Sequence, residues 1–275
     1  MAGQRHVGAR SNNNFKLGID GTFDGTNVLK VDGGQMSRDT TTFDMGGTMA
    51  RPVALGGPVK FAPINFDLSF GMSARVMHWL NNCFKALPEY KTGSIVEADQ
   101  MQIEQRRMDF YRALIQKIEI SACDPKSADP LKISVTAQPE FIEYKEGSGA
   151  KLNVSEGNSR SRDFVVSKFR FDIDALGDVC EHITKVDALT YTVNTVDDPT
   201  GVDDVPGHVQ TGVEVPTLKI TYNPGMNAAV DAWAHASIRQ GQAKEENLTT
   251  GSLTYFNLAN EEIGRLTFER IGIHK

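Results

Sequence analysis

The sequence predicts a mainly β protein built from two similar domains in tandem, each a small β-barrel or sandwich with one short flanking α-helix. Three observations carry this. Ile64, Phe66, Leu68 and Phe70 alternate strictly with Asn65, Asp67 and Ser69, the period of a half-buried strand. "FKLGIDGTFDGTNVLKVDGG" from Phe15 and "FRFDIDALGDVCEHITKVDAL" from Phe169 share one order: alternating strand, Ile-Asp, a Gly- and Asp-bearing turn, then Lys-Val-Asp. The two tryptophans of the chain, Trp79 and Trp233, each stand eight residues after a Gly-Met that ends an alternating strand.

Residues 1–13 are polar, Asn-rich and without periodicity, and read as a flexible arm. Phe15, Leu17 and Ile19 make a strand. Asp20 to Asn27 turn on two Asp-Gly pairs, and Val28 to Val31 return. Residues 33–62, rich in Gly, Thr and Pro, read as a long loop or a hairpin with a mobile tip. Gly71 ends the strand that starts at Ile64. "MSARVMHWLNNCFKAL" spaces Val76, Leu80 and Phe84 by four, so it is an amphipathic helix, capped by Gly71 or Ser73 and stopped before Pro88. Residues 89–110 are polar and poorly patterned. From Leu114 a hairpin turns at "DPKSADP", and residues 147–163 are the best linker. The second half repeats the order: strand, turn, strand, the polar loop "VDDPTGVDDVPGHVQTG", the strand "VPTLKITY", the helix "MNAAVDAWAHASI" and a closing hairpin from Gly251.

A true repeat keeps a near-constant offset. Phe15 and Phe169, Gly71 and Gly225, and Trp79 and Trp233 are each 154 residues apart. Lys30 and Lys185 are 155 apart, and Pro63 and Pro216 are 153 apart. Chance is a poor account of that spacing. The division it predicts is an arm at 1–13, a first copy at 14–163 and a second at 164–275. By pattern, the closing hairpin pairs with the one at Leu114 at an offset of about 135. The second copy then has no equivalent of "QPEFIEYKEGSGAKLNV".

The composition points away from several function classes. Of 275 residues, 40% are hydrophobic, and no apolar run reaches the length of a membrane span. The first residues lack the apolar core of a secretory signal. Net charge is −6, which disfavours tight phosphate-backbone binding. Arg106 and Arg107, beside Glu104 and Asp109, read as a solvated helix face or loop. Cys83, Cys123 and Cys180 form no C-x-x-C and read as buried or half-buried thiols. The six histidines include no H-x-x-x-H pair. Asp172, Asp174 and Gly177 mimic the start of a calcium loop, but Leu176 and Ile183 stand where ligands belong. No nucleophile elbow, Walker loop or dinucleotide fingerprint is present. The expectation is a protein without catalysis, cofactor or metal.

The unit as a whole resembles the tail tube family of contractile phages, which includes the inner tubes of type VI secretion and other contractile injection systems. Ile19-Asp20-Gly21, "PINFDLSFG" and Trp79 carry the resemblance in the first copy. Ile173-Asp174, "VPTLKITYNPG" and Trp233 carry it in the second. The resemblance implies small β-barrels joining into rings that stack as a hollow tube, found in a virion or a cytoplasmically assembled apparatus. It implies partners: further copies of this chain as a trimeric or hexameric ring, and sheath, baseplate or spike proteins. DNA or effector passes through the lumen without specific binding, and nothing inserts in a membrane. The long loops, 33–62 and 195–213, take the role of packing on a neighbouring subunit. Gly46, Gly47, Arg51, Pro52, Leu55, Gly56 and Pro58 are the candidate contact residues, and Trp79 and Trp233 the candidate core. The tube subunits of the family have one domain. A doubled chain therefore also fits a trimeric hub or tube initiator, where three chains supply six domains. Outside this class, a monomeric two-domain binding module has the same sequence features.

Overall fold

A computed structural model describes residues 14–43, 53–99, 101–152, 164–198, 207–223, 227–239 and 248–273. The chain forms two compact units that interleave along the sequence. Unit 1 is Met1–Ile118, Ser134–Ser159 and Tyr191–Glu214; unit 2 is Glu119–Ile133, Arg160–Thr190 and Val215–Lys275. The contiguous division at residues 163/164 differs from this for one reason: a hairpin from the second half belongs to the first unit.

In order, the chain forms β1 (Asn14–Ile19), β2 (Thr22–Gly33), β3 (Met36–Phe43), β4 (Val53–Phe61), β5 (Ile64–Ser69), helix α1 (Ala74–Phe84), β6 (Lys91–Ala98), β7 (Glu104–Ile120), β8 (Lys132–Gln138) and β9 (Phe141–Glu146). β10 (Phe169–Ile173), a 3-10 turn (Gly177–His182), β11 (Ile183–Val186), β12 (Leu189–Asp198), β13 (Gly207–Glu214) and β14 (Ile220–Tyr222) follow. Helix α2 (Asn227–Ala234), a π-helical turn (His235–Arg239), β15 (Thr249–Phe256) and β16 (Glu262–Ile271) complete it.

In unit 1 the strands β1, β2, β5, β8, β7 and β6 pair in cyclic order, so the sheet closes on itself and leaves no edge within that cycle. β9 lies along β7, and β12 and β13 extend the sheet from β7. The alternating residues fill the interior: Leu17, Ile64, Phe66, Leu68 and Phe110 are fully buried. α1 starts where Ser73 Oγ accepts the Val76 N–H at 3.4 Å, while the Ser73 N–H donates to Thr26 Oγ1 at 2.9 Å. One face of the helix buries Val76, Trp79, Leu80 and Cys83. The Trp79 indole N–H donates to the Glu89 carbonyl at 3.0 Å, so the ring is buried with its polar atom satisfied.

Unit 2 has two sheets, β10-β15-β16 and β11-β14. Their pairing repeats that of unit 1 residue for residue. β2 pairs with β5 as Val28↔Leu68, Lys30↔Asp67 and Val31↔Phe66, with a register shift after Val28. β11 pairs with β14 as Ile183↔Tyr222, Lys185↔Thr221 and Val186↔Ile220, with the shift after Ile183. β1 pairs with β6 from Phe15↔Glu97 to Ile19↔Gly93, and β10 with β15 from Phe169↔Tyr255 to Ile173↔Gly251. Gly93 faces Phe110 on β7, and Gly251 faces Phe268 on β16. Both glycines are required by the same close approach. A Cβ on Gly93 would lie 2.5 Å from the Gly18 carbonyl oxygen, and one on Gly251 would lie 2.9 Å from the equivalent Asp172 oxygen. Even the left-handed backbone recurs, at Arg112 (φ 48) and Arg270 (φ 58).

These ladders correct the sequence reading in four places. The closing hairpin β15–β16 corresponds to β6–β7, 158 residues earlier, rather than to the hairpin at Leu114. The strands without a counterpart among the described residues are therefore β8 and β9. Residues 89–110 are mostly strand. Gly93 breaks the visible alternation there, and Arg107 and Asp109 pair within the sheet instead of facing water. Arg106 and Arg107 thus lie on a strand, not on a helix or loop. The segment read as a polar loop after residue 195 is largely β12 and β13.

Trp79 is 2% exposed, whereas Trp233 is only half-buried, so the second tryptophan is not the sealed core residue its position predicts. Trp79→Ala is therefore expected to lower unfolding free energy by about 3–5 kcal/mol, the usual cost for a buried Trp. Trp233→Ala should cost less than half as much, both read from urea midpoints of dilute protein.

Candidate assembly surfaces

On the first half of β7, three strands meet in one row: Ser94 of β6, Asp109 of β7 and Glu143 of β9. Asp109 is 6% exposed. Arg107 Nε donates to its Oδ1 at 2.6 Å, and Lys145 Nζ to its Oδ2 at 3.0 Å. Lys145 also reaches Glu143 at 2.8 Å, and Arg107 donates to Ser94 Oγ at 2.9 Å. Burial opposes ionisation of Asp109, but hydrogen bonds with Ser94, Arg107 and Lys145 outweigh it and hold the carboxyl below the usual range. The corresponding pair in unit 2 is Ser252↔Thr267, with no carboxylate. The network binds β6, β7 and β9 together.

The second feature is a pair of hairpins. β12–β13 lies against unit 1. Tyr191 donates its hydroxyl to the Phe84 carbonyl at 3.1 Å, and its ring meets Phe84 edge-on at 5.4 Å. Gln116 Nε2 donates to Thr195 Oγ1 at 2.7 Å, and the Tyr90 hydroxyl to the His208 carbonyl at 2.6 Å. Of the segment 195–213, expected to reach a neighbouring subunit, Thr195 and His208 are thus bonded within this chain. β3–β4 is a two-stranded sheet by itself. Its base is held where Gln138 Nε2 donates to the Phe61 carbonyl at 2.8 Å and Phe61 meets Phe141 edge-on.

Of the candidate contact residues, Gly46, Gly47, Arg51 and Pro52 lie outside the described residues. Leu55 and Gly56 stand on β4 opposite Thr41 and Thr40, and Pro58 falls in the register shift beyond them. Sequence reasoning missed Met36 and Ile238, which are 69% and 52% exposed. A large apolar side chain at a hairpin base or a helix end looks ordinary until its burial is known.

Third, unit 2 leaves apolar positions uncovered. Met108, Phe110 and Ala113 of β7 are buried, while the matching Leu266, Phe268 and Ile271 of β16 are half-buried. Phe61 is 7% exposed, and Val215 at its equivalent position is 80% exposed.

All three cysteines are free and buried, and burial pushes the thiols of Cys83 and Cys123 up to about 12. Asp172 pairs with Arg170 at 2.9 Å and Asp174 with the Thr250 hydroxyl, so the residues that mimic a calcium loop do not converge. Among the described residues no group of three or more His, Cys, Asp or Glu could hold a metal ion, and no helix is long and apolar enough to cross a membrane. A groove in unit 1 is lined by Asp32, Glu97, Arg106, Arg107, Lys145 and Glu146, charges of both signs.

Because its folded pKa is depressed, Asp109 contributes stability above the unfolded value of about 3.9, which is lost as pH falls through the folded value. Asp109→Asn should therefore be less stable than the parent at pH 7. The gap in urea midpoint should shrink progressively below about pH 4.

No protein-family model matches the chain, and no curated protein does. Among solved structures, it is similar to a chain of the anti-feeding prophage baseplate, with 10% identity and a TM-score of 0.42 over 49% of this chain and 94% of the other. It is similar to a chain of the sheath-tube complex of PVC, an extracellular contractile injection system, with 14% identity and a TM-score of 0.43 over 53% and 99%. Hcp1 from Flavobacterium johnsoniae matches with 20% identity and a TM-score of 0.30 over 50% and 98%. Each of these matches spans about half of this chain.

Proposed function

We propose that this chain is a structural subunit of a phage tail or contractile injection system, assembling into rings that stack as an inner tube and line its channel. The observation that carries the reading is the repeated ladder. One strand register, with its bulges and its close-packed glycine, occurs twice in a sequence whose motifs resemble the tail tube family. The bounds proposed for the two copies are 14–163 and 164–275. A chain of two such units can supply two positions of a ring. The edges of β14 and β16, on which no described strand lies, favour self-association, because an unpaired strand edge is a template for another strand. An acidic chain suits a conduit, since a carboxylate-bearing lumen repels nucleic acid in transit. Sheath, baseplate or spike proteins are the partners of such an object.

A second reading is favoured by one observation. The two copies are unequal: the first closes into a barrel, and the second has no described counterpart of β8 and β9. A trimeric hub or tube initiator uses two non-equivalent domains per chain to make a pseudo-sixfold ring.

Negative-stain electron microscopy of purified protein, with class averaging and particle mass, tests both. Rings with a central hole are expected. A mass of three chains per ring supports the hub, and stacked rings support the tube. Compact single chains at all concentrations would overturn both readings in favour of a binding module.

A further inference from the structure

One row of the repeated ladder differs in what covers it. In unit 1, Phe15 of β1, Glu97 of β6, Arg106 of β7 and Glu146 of β9 stand side by side. The next row on the same face is Leu17, Ile95, Met108 and Tyr144. All but Leu17 line the unit 1 groove. Ile95 and Met108 are buried, whereas Arg106 and Glu146 are exposed, so the groove has an apolar floor and a charged rim.

In unit 2 the first of these rows is Phe169, Tyr255 and Gly264, without charge. It is shut. Tyr255 is 0% exposed, and its hydroxyl lies against the Cys123 thiol. Cys123 is tied to β11 by two backbone bonds with Val186. The cover is the connection between β7 and β8, which is not one of the repeated strands. In unit 1, Tyr144 is 60% exposed, and no described segment crosses the groove.

The charge left at the rim is negative. Arg107 and Lys145, also at the groove, are bonded to Asp109. Among the described residues, Glu97 and Glu146 are in no ion pair, and only the guanidinium of Arg106 stands between them. Residues 1–13 lie outside the described residues and lead into Asn14, one residue before Phe15. They hold Arg5, His6 and Arg10, the apolar Val7, and no Asp or Glu. Thirteen residues span up to about 40 Å, and Ser11-Asn12-Asn13 is a composition that favours a turn.

We propose that residues 1–13 turn back into the unit 1 groove of their own chain, with Val7 on the apolar floor and Arg5 and Arg10 paired with Glu97 and Glu146. The arm then closes in unit 1 what the Cys123 segment closes in unit 2. The inference stands apart from the ring reading.

Crosslinking of full-length variants tests it. Val7→Cys with Tyr144→Cys, treated with a short bismaleimide, is expected to link within one chain. The control is Val7→Cys with Leu87→Cys, whose site is 55% exposed beyond α1. The native thiols are buried and give little background. A tethered thiol meets any exposed site at some rate, so docking is read as a link to Tyr144→Cys about tenfold faster than the control. Adding Glu97→Lys and Glu146→Lys should bring that rate down to the control's. Adding Arg5→Glu and Arg10→Glu to these should restore it, which also shows that the variant is folded. Equal rates at the two sites, or a rate that charge reversal does not lower and the swap does not restore, would overturn the inference. So would a link that forms only between chains, when the single variants are mixed. Each of these results leaves the ring reading standing.

Discussion

Unit 1 depends on the reach of one strand. β7 has 17 residues and serves two sets of neighbours. Its first half pairs with β6 on one side and β9 on the other. The strand then passes Arg112, held at φ 48, and continues to β8, which closes the cycle. Arg112 is fixed at that bend by its side chain: Nε donates to Glu140 Oε2 at 2.5 Å, and the guanidinium lies 4.8 Å from the Tyr90 ring centre. A non-glycine residue in the left-handed region costs energy and needs such support. Because β7 continues past the bend, it can also carry β12, and hence the hairpin that joins unit 1 from the second half.

The repeated ladder shows what that reach provides. β16 copies the register of β7, including the left-handed arginine, yet no described strand lies on its outer side. The same apolar positions are sealed in one unit and half-open in the other. Burial, not pairing, separates Trp79 from Trp233.

Much of this was legible in the sequence, for identifiable reasons. Strict alternation marked β1, β5 and β10, and the paired Gly-Met-to-Trp spacing located both helices. The Lys-Val-Asp landmarks lie on β2 and at the end of β11, where the equivalent bulges stand. β6 and the first half of β7 were hidden. Gly93, Arg107 and Asp109 break the apolar period, and their reasons are tertiary: a neighbouring strand too close to admit a Cβ and a part-buried ion pair. The closing hairpin was matched to the wrong partner because pattern alone cannot tell β6–β7 from β7–β8. The register fixes it through Gly93 and Gly251. Met36 and Ile238 gave no signal of their own, because a lone apolar side chain looks ordinary until its burial is known.

The central claim is that one strand ladder is built twice and closed once. Residue-resolved amide exchange on dilute protein tests it most directly. The account predicts slow exchange for N–H groups on both sides of β7 between Arg106 and Tyr111, where β6 and β9 both bond it. On β16, the groups facing β15 should be slow and those facing away fast. Equal protection on both sides of β16 in the dilute protein would contradict it.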